Sequence, residues 1–166
     1  DGNVNDSVGS NNGTLTNGPS IVSNGKSGSA FSFDGVNDYV VMTNESNFDF
    51  VGQQFTAEGW FQTSTTGAMQ GLIAKGGGGG WQWGARLETD NKLHAIIWNS
   101  AGSNVYDAIS NSTLTDGQWH HFAAVYDTRS TGESIQLFVD GVLQTTVVDN
   151  SATRDYSDTN SNVYLG

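Results

Sequence analysis

Two adjacent imidazoles, His120 and His121, lie in the run Asp116-Gly117-Gln118-Trp119-His120-His121-Phe122-Ala123-Ala124-Val125-Tyr126-Asp127 and are the side chains best able to hold a metal or move a proton. The apolar residues around them alternate with period two, the pattern of a strand, on which neighbouring side chains point to opposite faces. The two rings therefore cannot chelate one ion from that strand, and no third ligand accompanies them. One packed ring and one solvated ring is the expected outcome. The glutamates are Glu45, Glu58, Glu88 and Glu133, and none belongs to a closely spaced set. A retaining glycosidase needs two carboxyl groups roughly 5–5.5 Å apart, which on a strand means acids two or four residues apart. Asp155 and Asp158 are close, but in a stretch rich in Ser, Thr and Asn that would hold them loosely. No G-x-S-x-G elbow occurs. The glycine run 76–80 has no helix after it to supply the aligned N–H groups of a phosphate loop, and reads as a flexible hairpin tip. No catalytic set is found.

Aromatic side chains beside amides offer different chemistry: a platform for the apolar face of a pyranose, with partners for its hydroxyls. Trp81, Gln82, Trp83, Trp98 and Tyr106 supply it around one pair of hairpins. Alternation turns Trp81, Trp83, Ala85 and Leu87 inward and sets Gln82, Gly84, Arg86 and Glu88 opposite. Further on it places His94, Ile96 and Trp98 on one face, expected to be core, with a concave binding surface as the alternative.

The rest of the chain must position these groups. At 166 residues it fits one domain able to bury a core without cross-links, and it has no cysteine, so thiol ligands and disulfides are absent. With 22 Gly and a single Pro among abundant Asn, Ser and Thr, the composition suits many strands joined by tight turns. Strands are expected near 30–33, 39–42, 55–62, 71–75, 81–88, 92–98, 105–109, 118–126, 134–139, 142–148 and 163–165, the spacing of a two-sheet sandwich or jelly roll. Asp34-Gly35-Val36-Asn37-Asp38 offers the chemistry of a hairpin turn, and so does Asp140-Gly141. Six Lys plus Arg against 17 Asp plus Glu leave a net charge of −11, which repels phosphate backbones and argues against nucleic acid as a partner. No apolar run approaches the ~20 residues of a membrane span.

The motifs resemble those of laminin-G-like domains, of the type 3 group, within the concanavalin A-like lectin and glucanase superfamily. The resemblance runs through Asp6 to Leu15, Ala30-Phe31-Ser32-Phe33-Asp34-Gly35 with Asp38-Tyr39-Val40, Phe55-Thr56-Ala57-Glu58-Gly59-Trp60-Phe61, Leu72-Ile73-Ala74-Lys75-Gly76, the Trp119-His120-His121 strand and the Leu137-to-Gly141 hairpin. It implies an all-β, antiparallel two-sheet jelly roll over residues 1–166. It also implies an extracellular or cell-surface module that binds polysaccharide or glycoprotein glycans, or serves adhesion, without catalysis. The alternative is a structural domain of a surface layer, filament or adhesin.

Two family features are missing: an apolar strand ahead of Asp6 and a final strand after Leu165-Gly166. The expectation is a fragment of a longer multidomain chain whose own apolar segments cover the open edges beside Ala30 to Phe33 and Val163 to Leu165; the alternative is a whole chain whose edges there invite strand addition from neighbouring subunits. The resemblance further implies a calcium ion at the sandwich rim. Asn99 stands at the first ligand position, and Asp158 to Asn162, with Asp158 and Asn160, at the second. A structural ion near Asp6 or Asp34 is the competing location, since alternating Asp and Asn resemble the first ligands of a calcium loop.

Overall fold

The structure, a computed structural model, describes residues 2–77, 80–99, 101–129, 134–150 and 160–166. Its β-branched and aromatic residues fall in alternating segments, and these become strands. They are β1 (Gly13–Thr16), β2 (Ser20–Val22), β3 (Ala30–Ser32), β4 (Tyr39–Met42), β5 (Gln54–Gln62), β6 (Gln70–Gly77) and β7 (Gly80–Leu87). There follow β8 (Leu93–Trp98), β9 (Asn104–Ile109), β10 (Trp119–Asp127), β11 (Ser134–Val139), β12 (Val142–Leu143), β13 (Thr146–Asp149) and β14 (Val163–Leu165). A short 3-10 turn occupies Glu45–Phe48. No helix among the described residues is long and apolar enough to cross a membrane.

All pairings are antiparallel. An eight-stranded sheet runs β1-β4-β14-β6-β7-β8-β9-β13, a four-stranded sheet runs β12-β11-β10-β5, and β2 pairs with β3 alone. Trp83, Ala85 and Leu87 of β7 lie opposite Ile97, Ala95 and Leu93 of β8, and this face meets Phe122, Ala124 and Tyr126 of β10 and Leu137 of β11 to form the core. The two layers are tied by Tyr126, whose buried hydroxyl donates to the Gly84 carbonyl at 2.8 Å. Phe55 stacks between Phe50 and Tyr126 at 4.3 and 4.7 Å, so the aromatic set is continuous across both sheets. Gly84 is required where β6 and β7 approach: a Cβ there would lie 2.9 Å from that of Ala74.

Several expectations from sequence change. The segment Asp34 to Asp38 is an arch, not a hairpin, because β3 pairs with β2 while β4 pairs with β1 and β14. Asp34 Oδ1 accepts from Val36 and Asn37 N–H, and Asp38 Oδ2 accepts from Asp34 N–H, which turns the chain from one layer to the next. The single strand expected over 142–148 is broken in two: β12 stays in the four-stranded sheet and β13 joins the eight-stranded one. Gln144 makes the corner, accepting from Asn111 N–H and donating to the Val142 carbonyl. The open edge expected beside Val163 to Leu165 does not exist, since β14 is paired on both sides, by β4 and β6. Among the described residues, the long edge with one partner is β5, bound only to β10. The Asp140-Gly141 turn is as expected, with φ of +50° and +79°, the primed geometry that matches strand twist.

Candidate functional site

The residues expected from sequence separate onto different surfaces. Trp83 and Tyr106 are inward and buried, and the Trp83 indole packs against Phe55 and Phe50. Neither offers a ring to a ligand. The Trp81 side chain lies outside the described residues. Gln82 and Trp98 share the opposite face of the eight-stranded sheet with Arg86, His94 and Asp107. This face points away from the core, yet Trp98 is only 4% and Ile96 0% exposed. The face expected from sequence to be core is buried, but it is not part of the core: His94, Ile96 and Trp98 stand outside the cluster packed between the sheets. Arg86 donates to Glu88 at 2.6–2.7 Å and its guanidinium rides 5.2 Å from the centre of the Trp98 ring. His94 lies between Asp107, 2.9 Å from Nδ1, and Asp90, 3.4 Å from Nε2. Its polar groups are turned toward one another.

The oxygens expected to bind calcium are engaged by backbone. Asn99 Oδ1 accepts from Ala101 and Ser103 N–H, Asp6 accepts from Val8 and Asn11 N–H, and Asp34 from Val36 and Asn37 N–H. Backbone donors hold the Asp6 and Asp34 carboxyls below the ordinary value. Asn160 is exposed, with φ of +47°, and Asp158 lies outside the described residues. No cluster of three His, Cys, Asp or Glu side chains among the described residues could hold a metal. Among the described residues Asn99, Asp6 and Asp34 close turns with their side-chain oxygens, and neither aspartate belongs to a group of three acidic or imidazole side chains that could hold an ion. Melting curves recorded with calcium and with a chelator are therefore expected to superimpose; a higher midpoint in calcium would require a ligand set outside these turns.

The open surface is the outer face of the four-stranded sheet. Alternation along β5 turns Phe55, Ala57, Gly59 and Phe61 to the core and Thr56, Glu58, Trp60 and Gln62 outward. Along β10 it turns Trp119, His121, Ala123 and Val125 the same way, with Trp60 opposite His121 and Glu58 opposite Ala123. Ala123 is a small floor, flanked on its other side by Phe138 and then Leu143. Trp60 is 46% exposed, the most open indole among the described residues. The His121 ring meets it edge-on at 5.1 Å, and Lys26 Nζ stands 4.9 Å from its centroid. A tight turn closed by Gly25 N–H to the Gly28 carbonyl, at 2.9 Å, carries Lys26 there. Glu58 Oε2 is 3.8 Å from His121 Nε2, and Gln62 Nε2 donates to the Gly117 carbonyl at 2.7 Å. This face is not among the surfaces expected from sequence, where Trp60 and Trp119 stand only as parts of motifs. Period two in both strands carries the signal that would have found them.

Residues 34–166 match the laminin G type 3 family, described as the concanavalin A-like lectin/glucanases superfamily. The chain belongs to that family. A search of the curated proteins finds no sequence match. Among solved structures, this laminin-G-like chain is similar to the receptor binding domain of botulinum neurotoxin mosaic serotype C/D, with TM-score 0.69 and 11% identity over 94% of this chain. It spans 38% of that toxin chain. It is also similar to the CBM40 of the Ruminococcus gnavus IT-sialidase, with TM-score 0.55 and 20% identity, covering 73% of this chain and 67% of that one. At these identities the likeness is one of fold, the jelly roll with its two antiparallel sheets.

Two of the three histidines of this laminin-G-like fold share one design. His120, on the inward side of β10, is held by Asp140 at 2.8 Å and Asp116 at 3.1 Å, much as His94 is held by Asp107 and Asp90. Burial pulls both imidazoles down, but the carboxylates outweigh it and both end above the ordinary 6.5. A group whose folded value is raised adds stability that is complete below its unfolded value and lost as pH rises through the folded one. The partner aspartates Asp90, Asp116 and Asp140 are lowered from 3.8, so their contribution disappears as pH falls through their folded values. Stability is therefore expected to be greatest between 3.8 and 6.5. Melting midpoints measured across pH 4 to 9, in roughly unit steps, check this, and a maximum above about pH 7 would contradict it.

Proposed function

We propose that the chain is a non-catalytic glycan-binding module acting outside the cell or at its surface, and that the sugar lies on the Trp60 face. The observation that carries this is a half-exposed indole on an open sheet, with a carboxylate, an imidazole and a side-chain amide in the neighbouring outward positions. An aromatic ring covers the apolar face of a pyranose while such polar groups meet its hydroxyls. Support comes from the sialidase CBM40, a carbohydrate-binding module of the same fold that has been crystallised with α2,3-sialyllactose. Screening the protein against an immobilised glycan panel tests the reading. Retention of some glycan by the native protein, reduced in Trp60→Ala, is the expected result, and no retention of any glycan would end it.

Hydrolysis is not expected. Among the described residues Glu58 lies 3.8 Å from His121 and Glu88 pairs with Arg86 at 2.6 Å, contacts that favour the charged form of both rather than a proton-donating acid. Glu58→Gln and Glu88→Gln should reveal no lost turnover on any bound glycan. Hydrolysis that vanishes in either variant would reverse this conclusion, because an amide cannot act as acid or nucleophile.

A second reading, a structural domain that contacts other proteins, is favoured by one feature. The nine residues of β5 form an edge with a partner on one side only among the described residues, and such an edge is a template for an added strand. Sedimentation over a wide concentration range tests self-pairing: a monomer throughout removes a second copy as the added strand.

A further inference from the structure

Three of the five cations among the described residues of this acidic chain are neutralised in place. Lys75 is held by Glu45 and Asp49, Arg86 by Glu88 and Arg129 by Asp127, each within 3.0 Å. Lys26 and Lys92 differ: neither has a carboxylate of the described residues within ion-pair distance, and of the two only Lys26 is exposed, at the tip of the β2–β3 turn. It rests instead on the face of Trp60, the indole most open to a ligand. The nearest acid on this face, Glu58, is directed at His121.

From this arrangement we infer that the Trp60 face selects a pyranose bearing a carboxylate, with Lys26 as the group that meets the acid. This rests on the reading of that face as a sugar site. A ring stacking on Trp60 takes the place of the ammonium over the indole, and the flexible lysine stem lets the charge move to the edge of the sugar. An ammonium over an aromatic ring gives up little on leaving an exposed site, whereas a charge-assisted hydrogen bond to a carboxylate is among the stronger polar contacts. With a net charge of −11, the protein as a whole repels anions, so a local cation is needed for any acidic sugar to be held. Sialic and uronic acids share this chemistry, the first with its carboxyl on the anomeric carbon and the second at the far end of the ring.

The test measures binding of α2,3-sialyllactose, trigalacturonate and lactose to the native chain and to Lys26→Gln. At least one of the two acidic sugars should bind about tenfold or more tightly than lactose, a difference of the size one charge-assisted contact supplies. The acidic sugar that gains identifies which source fits. The advantage should shrink to within about twofold in Lys26→Gln, and should weaken as salt is raised from about 0.05 M to about 0.5 M. Lys26 is exposed, so the variant keeps the fold, and an unchanged melting midpoint verifies that. Lactose binding as well as both acids, or a preference that survives Lys26→Gln, overturns the inference while leaving the Trp60 face as a site for neutral sugars. Failure of the whole glycan panel to bind overturns the site itself.

Discussion

Replacing Lys75 by alanine is expected to lower the stability of the fold by about 3–5 kcal/mol, because it leaves a buried ionic cluster without its cation. Lys75 is 0% exposed on β6, where its ammonium meets Glu45 Oε2 at 3.0 Å, Asp49 Oδ1 at 2.7 Å and the carbonyls of Glu45 and Ser161 at 3.0 and 3.1 Å. These groups come from separate parts of the chain: the 3-10 turn after β4 and the residues leading into β14. One side chain therefore fastens two connections to the rim of the eight-stranded sheet. The carboxylates of Glu45 and Asp49 are about a quarter exposed, so water relieves part of the loss and the lower end of the range is the better guide. Urea unfolding of Lys75→Ala measures the effect. The triple variant Lys75→Met, Glu45→Gln, Asp49→Asn should recover much of it, since an apolar or neutral set avoids leaving an unpaired charge. A single variant within about 1 kcal/mol of the native protein would show that the cluster is not an anchor.

Much of this architecture is legible in the residues, and the parts that are not have a common cause. Alternation in β7, β8 and β10 gives both the strands and their inward faces, because side-chain direction on a strand depends only on parity. Trp83, Ala85 and Leu87 are inward as that rule requires. Which sheet a strand joins does not follow from parity. The run 142–148 reads as one strand but changes sheets at Gln144, and Asp34 to Asp38 reads as a hairpin but is an arch, because pairing is decided by contacts distant in sequence. The candidate site shows the same limit. Trp98 and Gln82 come from two strands whose faces alternation reads separately, and the sheet brings them onto one face that is nearly closed to solvent. Trp60, equally visible as a tryptophan, is open because the sheet that carries it is only four strands wide and β5 is its edge. Exposure is a property of the assembled sheets and cannot be read from one strand.

Trp60→Ala is expected to weaken glycan binding by about thirtyfold or more, the effect of removing an aromatic anchor worth about 2 kcal/mol at the centre of a contact. Stability should change far less, because nearly half of the residue is already in water and its neighbours Lys26 and His121 are themselves on the surface side of the sheet. The comparison that gives the result meaning is Trp98→Ala. That ring is 4% exposed on the other sheet, packed under Arg86, and its removal should cost about 3–5 kcal/mol of stability. If the sugar lies on the four-stranded sheet, whatever Trp98→Ala protein remains folded should bind with native affinity. Calorimetric titration of both variants at a temperature where each is folded separates the two surfaces. Binding lost in Trp98→Ala and kept in Trp60→Ala would move the site to the outer face of the eight-stranded sheet, where Arg86, His94 and Asp107 would have to exchange their mutual contacts for contacts with the ligand.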